Sequence, residues 1–131
     1  MPAGSNYHVF KEGIEPMWEH PMNKMGGKWI VQIKNSQRET VLNQAWLHSV
    51  LGCIGAAFED DDEICGLVIS LRKAADKISL WTRNGNDAEK CKRIGRQFKE
   101  MLGIPAKLQY QLHQDALQQD SSFTNKSKYE I

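Results

Sequence analysis

Cysteine is scarce in this sequence, and neither sign of charge is in excess. Cys53, Cys65 and Cys91 are an odd number with no two-residue pairing motif, which indicates neither a disulfide framework nor a zinc site and predicts a reducing compartment. The 17 Lys+Arg stand against 16 Asp+Glu, a formal net charge of +1, so broad electrostatic binding of polyanions is excluded. Any nucleic-acid contact must then be local. No apolar run approaches the roughly 18 to 20 residues of a membrane span, and Met1-Pro2-Ala3-Gly4 has no charged region leading into an apolar one. The chain therefore reads as soluble, unsecreted and without a membrane contact. His8, His20, His48 and His113 show no metal-ligand spacing, and neither a nucleophile elbow nor a phosphate loop is present. The sequence indicates no enzymatic chemistry, no metal and no cofactor.

What is present is 131 residues patterned as one domain, long enough to bury roughly two thirds of the surface its unfolded chain exposes. After Gly26-Gly27, the β-branched and aromatic run Lys28-Trp29-Ile30-Val31-Gln32-Ile33 predicts a strand. Over residues 40–58 Leu42, Trp46, Val50, Cys53, Ile54 and Ala57 recur at helical spacing. The acidic run Glu59-Asp60-Asp61-Asp62-Glu63 lacks the alternating ligands and turn glycine of a calcium loop and reads as a solvated loop. Residues 64–72 and 77–82 predict an antiparallel hairpin. Asn86, three positions before Glu89, predicts a capped helix carrying Cys91, Ile94, Phe98, Met101 and Leu102, which Gly103 and Pro105 end. Leu108, Tyr110 and Leu112 alternate with polar residues as another half-buried strand, and 114–128 is Gln/Ser/Asp-rich and reads as a mobile loop. Helices alternating with strand pairs imply an α+β domain, an antiparallel sheet with helices on one face.

The hairpin carries the first candidate site. A four-residue loop places Arg72 opposite Lys77, then Ser70 opposite Ser79 and Val68 opposite Trp81 on one face, with Leu67, Ile69, Leu71, Ile78 and Leu80 on the other. Like charges directly opposite repel, so Arg72 and Lys77 are either a solvated pair at a strand end or a clamp for an anion such as phosphate. Trp18 follows Pro16 in a loop. It is either an anchor buried under the domain or a stacking platform beside the acceptor Glu19, suited to a purine with adjacent N–H donors. On the first helix Leu47, Leu51 and Ile54 form a second apolar row beside the one with Trp46 and Val50, which suggests a partner on that side.

Phe10-Lys11-Glu12-Gly13-Ile14-Glu15-Pro16-Met17-Trp18-Glu19, Asn23-Lys24-Met25-Gly26-Gly27-Lys28-Trp29, Ile64-Cys65-Gly66, Asp76-Lys77-Ile78-Ser79-Leu80-Trp81-Thr82 and Ile94-Gly95-Arg96 resemble the eukaryotic translation initiation factor 4E family of messenger-RNA cap-binding proteins. The resemblance implies a curved antiparallel sheet with helices packed on its convex face and 7-methylguanosine held on the concave one. It implies that Trp18 stacks on the base, Glu19 accepts from its N1 and N2 donors, Arg72 and Lys77 hold the phosphates, and Trp81 touches the methyl group. It further implies scaffold factor 4G and inhibitory 4E-binding proteins as partners at Leu47, Leu51, Ile54 and Gly55, a phosphorylation position near Ser122, a monomer, and a cytoplasmic location with the nucleus as a second one. The chain departs from the pattern in three ways. The second tryptophan of the cap sandwich, the N-terminal strands and the first helix of the family domain have no counterpart, so the chain reads as about the C-terminal two thirds of that domain, a fragment or short isoform with weakened cap affinity. Ala74 stands where many members have a lysine, and His48 replaces an acidic residue.

Overall fold

A computed structural model describes residues 4–14, 24–55, 58–73, 75–104, 106–113 and 128–131. The elements in chain order are β1 (Asn6–Phe10), β2 (Gly27–Ile33), α1 (Asn43–Ile54), β3 (Ile64–Ser70), β4 (Asp76–Thr82), α2 (Ala88–Leu102), β5 (Gln109–Leu112) and β6 (Tyr129–Glu130). Among the described residues the six strands form one antiparallel sheet in the order β1-β3-β4-β2-β5-β6.

The side-chain period of two divides that sheet. Trp29, Val31 and Ile33 of β2, Leu67 and Ile69 of β3, Ile78 and Leu80 of β4, and Tyr110 of β5 share one fully buried face. Both helices cover it. α2 brings Cys91, Ile94, Phe98 and Leu102 at helical spacing, and Ala45 of α1 with Leu42 just before it complete the core. Gly95 lets α2 approach closely: a Cβ there would lie 2.6 Å from Trp29 Cε2. Trp29 cannot retreat, because its Nε1–H donates to the Cys91 carbonyl at 2.8 Å.

Several expected boundaries move. The first helix is shorter than 40–58, since a wide π-type turn occupies Arg38–Leu42 and Gly55, whose N–H donates to the Leu51 carbonyl, ends it. At α2 the cap is Asp87 and not Asn86: Asp87 is extended, and its carboxylate accepts from the Lys90 N–H at 3.1 Å, while the Asn86 N–H is taken by Asn84 Oδ1. Gly103 closes the same helix in the left-handed conformation, φ 66°, as expected. The acidic run is not simply solvated. Residues Asp61–Glu63 form a 3₁₀ turn whose neighbourhood is pinned by Lys11 to Asp61, by Arg93 to Asp60 and by Lys90 to Glu63. Pro105 and the stretch 114–127 lie outside the described residues.

The hairpin exists with a different register. Ser70, not Arg72, stands opposite Lys77; Val68 faces Ser79 and Gly66 faces Trp81. The connection 71–75 is one residue longer than expected: β3 ends at Ser70, which adds Leu71 and Arg72 to it, while Asp76 already belongs to β4. A slip of two residues preserves which side chains share a face, so the division into an apolar and a polar face stands while the direct Arg72–Lys77 opposition does not.

Candidate functional site

The face turned away from the helices is arranged in rows across the strands. One row runs Phe10, Gly66, Trp81, Lys28, Gln111, and four residues along the strands another runs Asn6, Ser70, Lys77, Gln32. Trp81 is the large ring of the first row. Phe10 meets it edge-on at 5.2 Å between centroids and 82°, and the His113 ring lies at 4.2 Å, tilted 47°. Gly66 makes this meeting feasible, since a Cβ there would lie 2.5 Å from Phe10 Cγ and 2.6 Å from the Val9 carbonyl oxygen. Trp81 Nε1 is buried with no hydrogen-bond partner among the described residues, and so is His113 Nε2. Two such polar atoms on one face leave a donor and a ring nitrogen without a partner among the described residues.

Charge on this face is positive and close-set. Lys28 is half-buried, and burial, then the charge of Lys77, lowers its ammonium below the ordinary lysine value. An anion between them would relieve both effects. Arg72 lies past the end of the ladder, yet its guanidinium turns back onto the second row: Nη2 donates to Asn6 Oδ1 at 2.9 Å, and Nη1 to the Leu71 carbonyl at 2.9 Å and the Ser5 carbonyl at 3.3 Å. Asn6 and Lys77 flank Ser70 in that row, so the guanidinium rests on a residue of β1, whose backbone lies two strand spacings, roughly 10 Å, from that of β4 with Lys77.

The connection 71–75 that carries Arg72 is itself fastened. Asp76, fully buried, accepts from Arg38 Nε at 2.9 Å and Nη2 at 2.8 Å, and also from the Arg72 N–H at 3.3 Å. The Arg38 guanidinium, and then burial opposing it, leave the Asp76 carboxyl below the usual carboxylate range.

The structure thus brings Arg72, Lys77 and Trp81 to one face, and adds Phe10, Lys28 and His113, which sequence reasoning had not assigned there. Lys28 was discoverable, because it alternates with Trp29, a core residue. Phe10 and His113 were not, since their positions depend on which strands pair. Trp18, Glu19 and Ser122 lie outside the described residues, as does the side chain of Ile54. On α1, Leu47 and Leu51 are 53% and 57% exposed, an i, i+4 apolar pair turned to solvent, with Gly55 exposed just beyond the helix end.

The chain matches the family model described as eukaryotic initiation factor 4E over residues 1–128. It belongs to the eukaryotic initiation factor 4E family. It is similar to the Dictyostelium discoideum eukaryotic translation initiation factor 4E, 44% identical over 130 residues, covering 99% of this chain and 50% of the relative. The human factor 4E is 40% identical over 98% of this chain and 60% of its own length. Among solved structures, Ascaris suum eIF4E-3 in complex with the m2,2,7G cap superimposes with a TM-score of 0.90 at 37% identity, over all of this chain and 71% of that one. The chain spans about half to three fifths of the length of these curated factor 4E relatives.

Proposed function

We propose that this chain binds the 7-methylguanosine cap of messenger RNA on the polar face of its sheet, as a translation initiation factor acting in the cytoplasm. The observation that carries the reading is the pairing, on one face, of a Trp81 edge without a partner among the described residues with Lys28, Lys77 and Arg72, while the other face is packed under the helices. Solved relatives in complex with cap support it. In this reading Trp18 stacks on the base, Glu19 accepts from its N1 and N2 donors, Trp81 lies against the methyl group, and Arg72 and Lys77 hold the phosphates. The 131-residue polypeptide carries one ring of the stacking pair that the family resemblance implies. A base–aromatic stack contributes about 1 to 3 kcal/mol and a cation–π term adds to it, so the isolated chain binds more weakly than a full-length relative. Tryptophan fluorescence titrated with 7-methyl-GTP and with GTP tests this. Saturable quenching at micromolar concentration or above, favouring the methylated ligand, is expected; equal response to both nucleotides defeats the cap reading, and submicromolar saturation defeats the weakened affinity.

A second reading applies to the other side of the domain. Leu47 and Leu51, exposed on α1, favour capture of an amphipathic peptide from scaffold factor 4G or an inhibitory 4E-binding protein, and Caenorhabditis and schistosome relatives have been solved with the 4E-binding proteins Mextli and 4E-BP. Retention on an immobilised factor 4G peptide, lost at least tenfold in Leu51→Glu with cap binding unchanged, is expected. No retention where a full-length relative binds would end this reading.

A further inference from the structure

We infer that Arg38 is a positioning residue for the phosphate clamp, acting through Asp76 to hold Arg72 where a phosphate chain meets it; the inference rests on the cap-binding reading above. Two contacts join Arg38 to Asp76, and two more reach the Arg72 backbone, one in each of the peptide units that flank its Cα. The Arg38 guanidinium forks onto the buried Asp76 carboxylate with two N–H donors, and from the same Nη2 reaches the Arg72 carbonyl at 3.1 Å. Asp76 Oδ1, in turn, accepts from the Arg72 N–H at 3.3 Å. The pair therefore grips both polar groups of the Arg72 backbone, one through each partner.

The hold extends on either side. Arg38 Nη2 also donates to Asn35 Oδ1 at 3.3 Å, and Asn35 Nδ2 donates to the Lys73 carbonyl, so two consecutive carbonyls of the connection 71–75 are tied to the turn that leads into α1. Without these ties the connection would have to be ordered by the ligand, at an entropy cost drawn from binding. With them, the Arg72 side chain leaves a fixed backbone and folds back onto Asn6 beside the row of Lys77. Arg38 needs a planar fork for this. Lysine can supply its charge but not two parallel donors and a third contact. Arg38 is the first residue of the π-type turn Arg38–Leu42 that leads into α1.

The alternative is that Arg38 and Asp76 hold the fold together and nothing more. Comparing affinity for 7-methyl-GTP with affinity for 7-methyl-GMP separates the two, because loss of folded protein lowers both equally. In Arg38→Met the ratio of the two affinities falls roughly tenfold with the monophosphate nearly unaffected, and in Arg38→Lys it falls by a smaller factor. Lys107→Met, which removes an ion pair to Glu130 at the far edge of the sheet, leaves the ratio unchanged. Equal losses for both ligands in Arg38→Met, or an unchanged ratio, would overturn the inference. A wild-type chain that responds equally to 7-methyl-GTP and GTP would defeat the cap reading first and this inference with it, a result distinct from an Arg38 variant that fails to shift the ratio.

Discussion

His113 packs against Trp81 with its imidazole held neutral, because burial, and then the charge of Lys28, lower its pKa to about 4. An unfolded chain returns it to about 6.5, so between these values the unfolded state binds the extra proton. The contribution is present in full above about pH 6.5 and is lost as pH falls towards about 4. Asp60 and Asp76 are lowered carboxylates, set by hydrogen bonds from Arg93 and Arg38, and their contribution is lost at still lower pH. Urea midpoints measured from pH 7 to pH 4.5 therefore fall more steeply for the wild type than for His113→Gln. Parallel curves would refute this assignment. The three thiols behave in the opposite sense. Burial pushes Cys53 up to about 12 and Cys65 and Cys91 up to about 11, which fits them as packing residues and agrees with their isolation in the sequence.

At the scale of elements, the contact between α2 and β2 sets two effects against each other. Gly95→Ala gains helix propensity of about 0.8 to 1 kcal/mol, yet its methyl would meet Trp29 Cε2 at 2.6 Å and Ile131 Cδ1 at 2.6 Å. Overpacking against a ring fixed by a hydrogen bond costs about 1 to 3 kcal/mol, so the clash wins. Gly95→Ala lowers the urea midpoint with the slope unchanged; a raised midpoint would show that the helix shifts freely. The elements themselves were legible from periodicity: β2, α2 and β5 appear where alternation and helical spacing put them. Registers were not. Ser70 and not Arg72 stands opposite Lys77, and the carboxylate of Asp76, next to Lys77, is held by Arg38, a residue far away in sequence. β6, two residues long, carries no pattern of its own and exists by pairing with β5.

For the molecule as a whole, a net charge near zero coexists with a basic face because the acids are spent elsewhere. Asp60, Asp61 and Glu63 pair with Arg93, Lys11 and Lys90, and Asp76 with Arg38, leaving Lys28, Lys77 and Arg72 without a carboxylate partner among the described residues. The face assignment of Trp81, Lys77 and Arg72 was readable because side chains alternate whatever the register. The neighbours of Trp81 were not, because Phe10 and His113 come from strands brought together only by the sheet order. That order has a kinetic corollary. β2 lies in the middle of the sheet but leaves the chain before α1 and the β3–β4 hairpin, so pairing Gly27 with Thr82 closes a long loop. The hairpin and α2 can form from local contacts within microseconds, whereas the arrival of β2 between β4 and β5 is a long-range encounter that sets the pace of refolding.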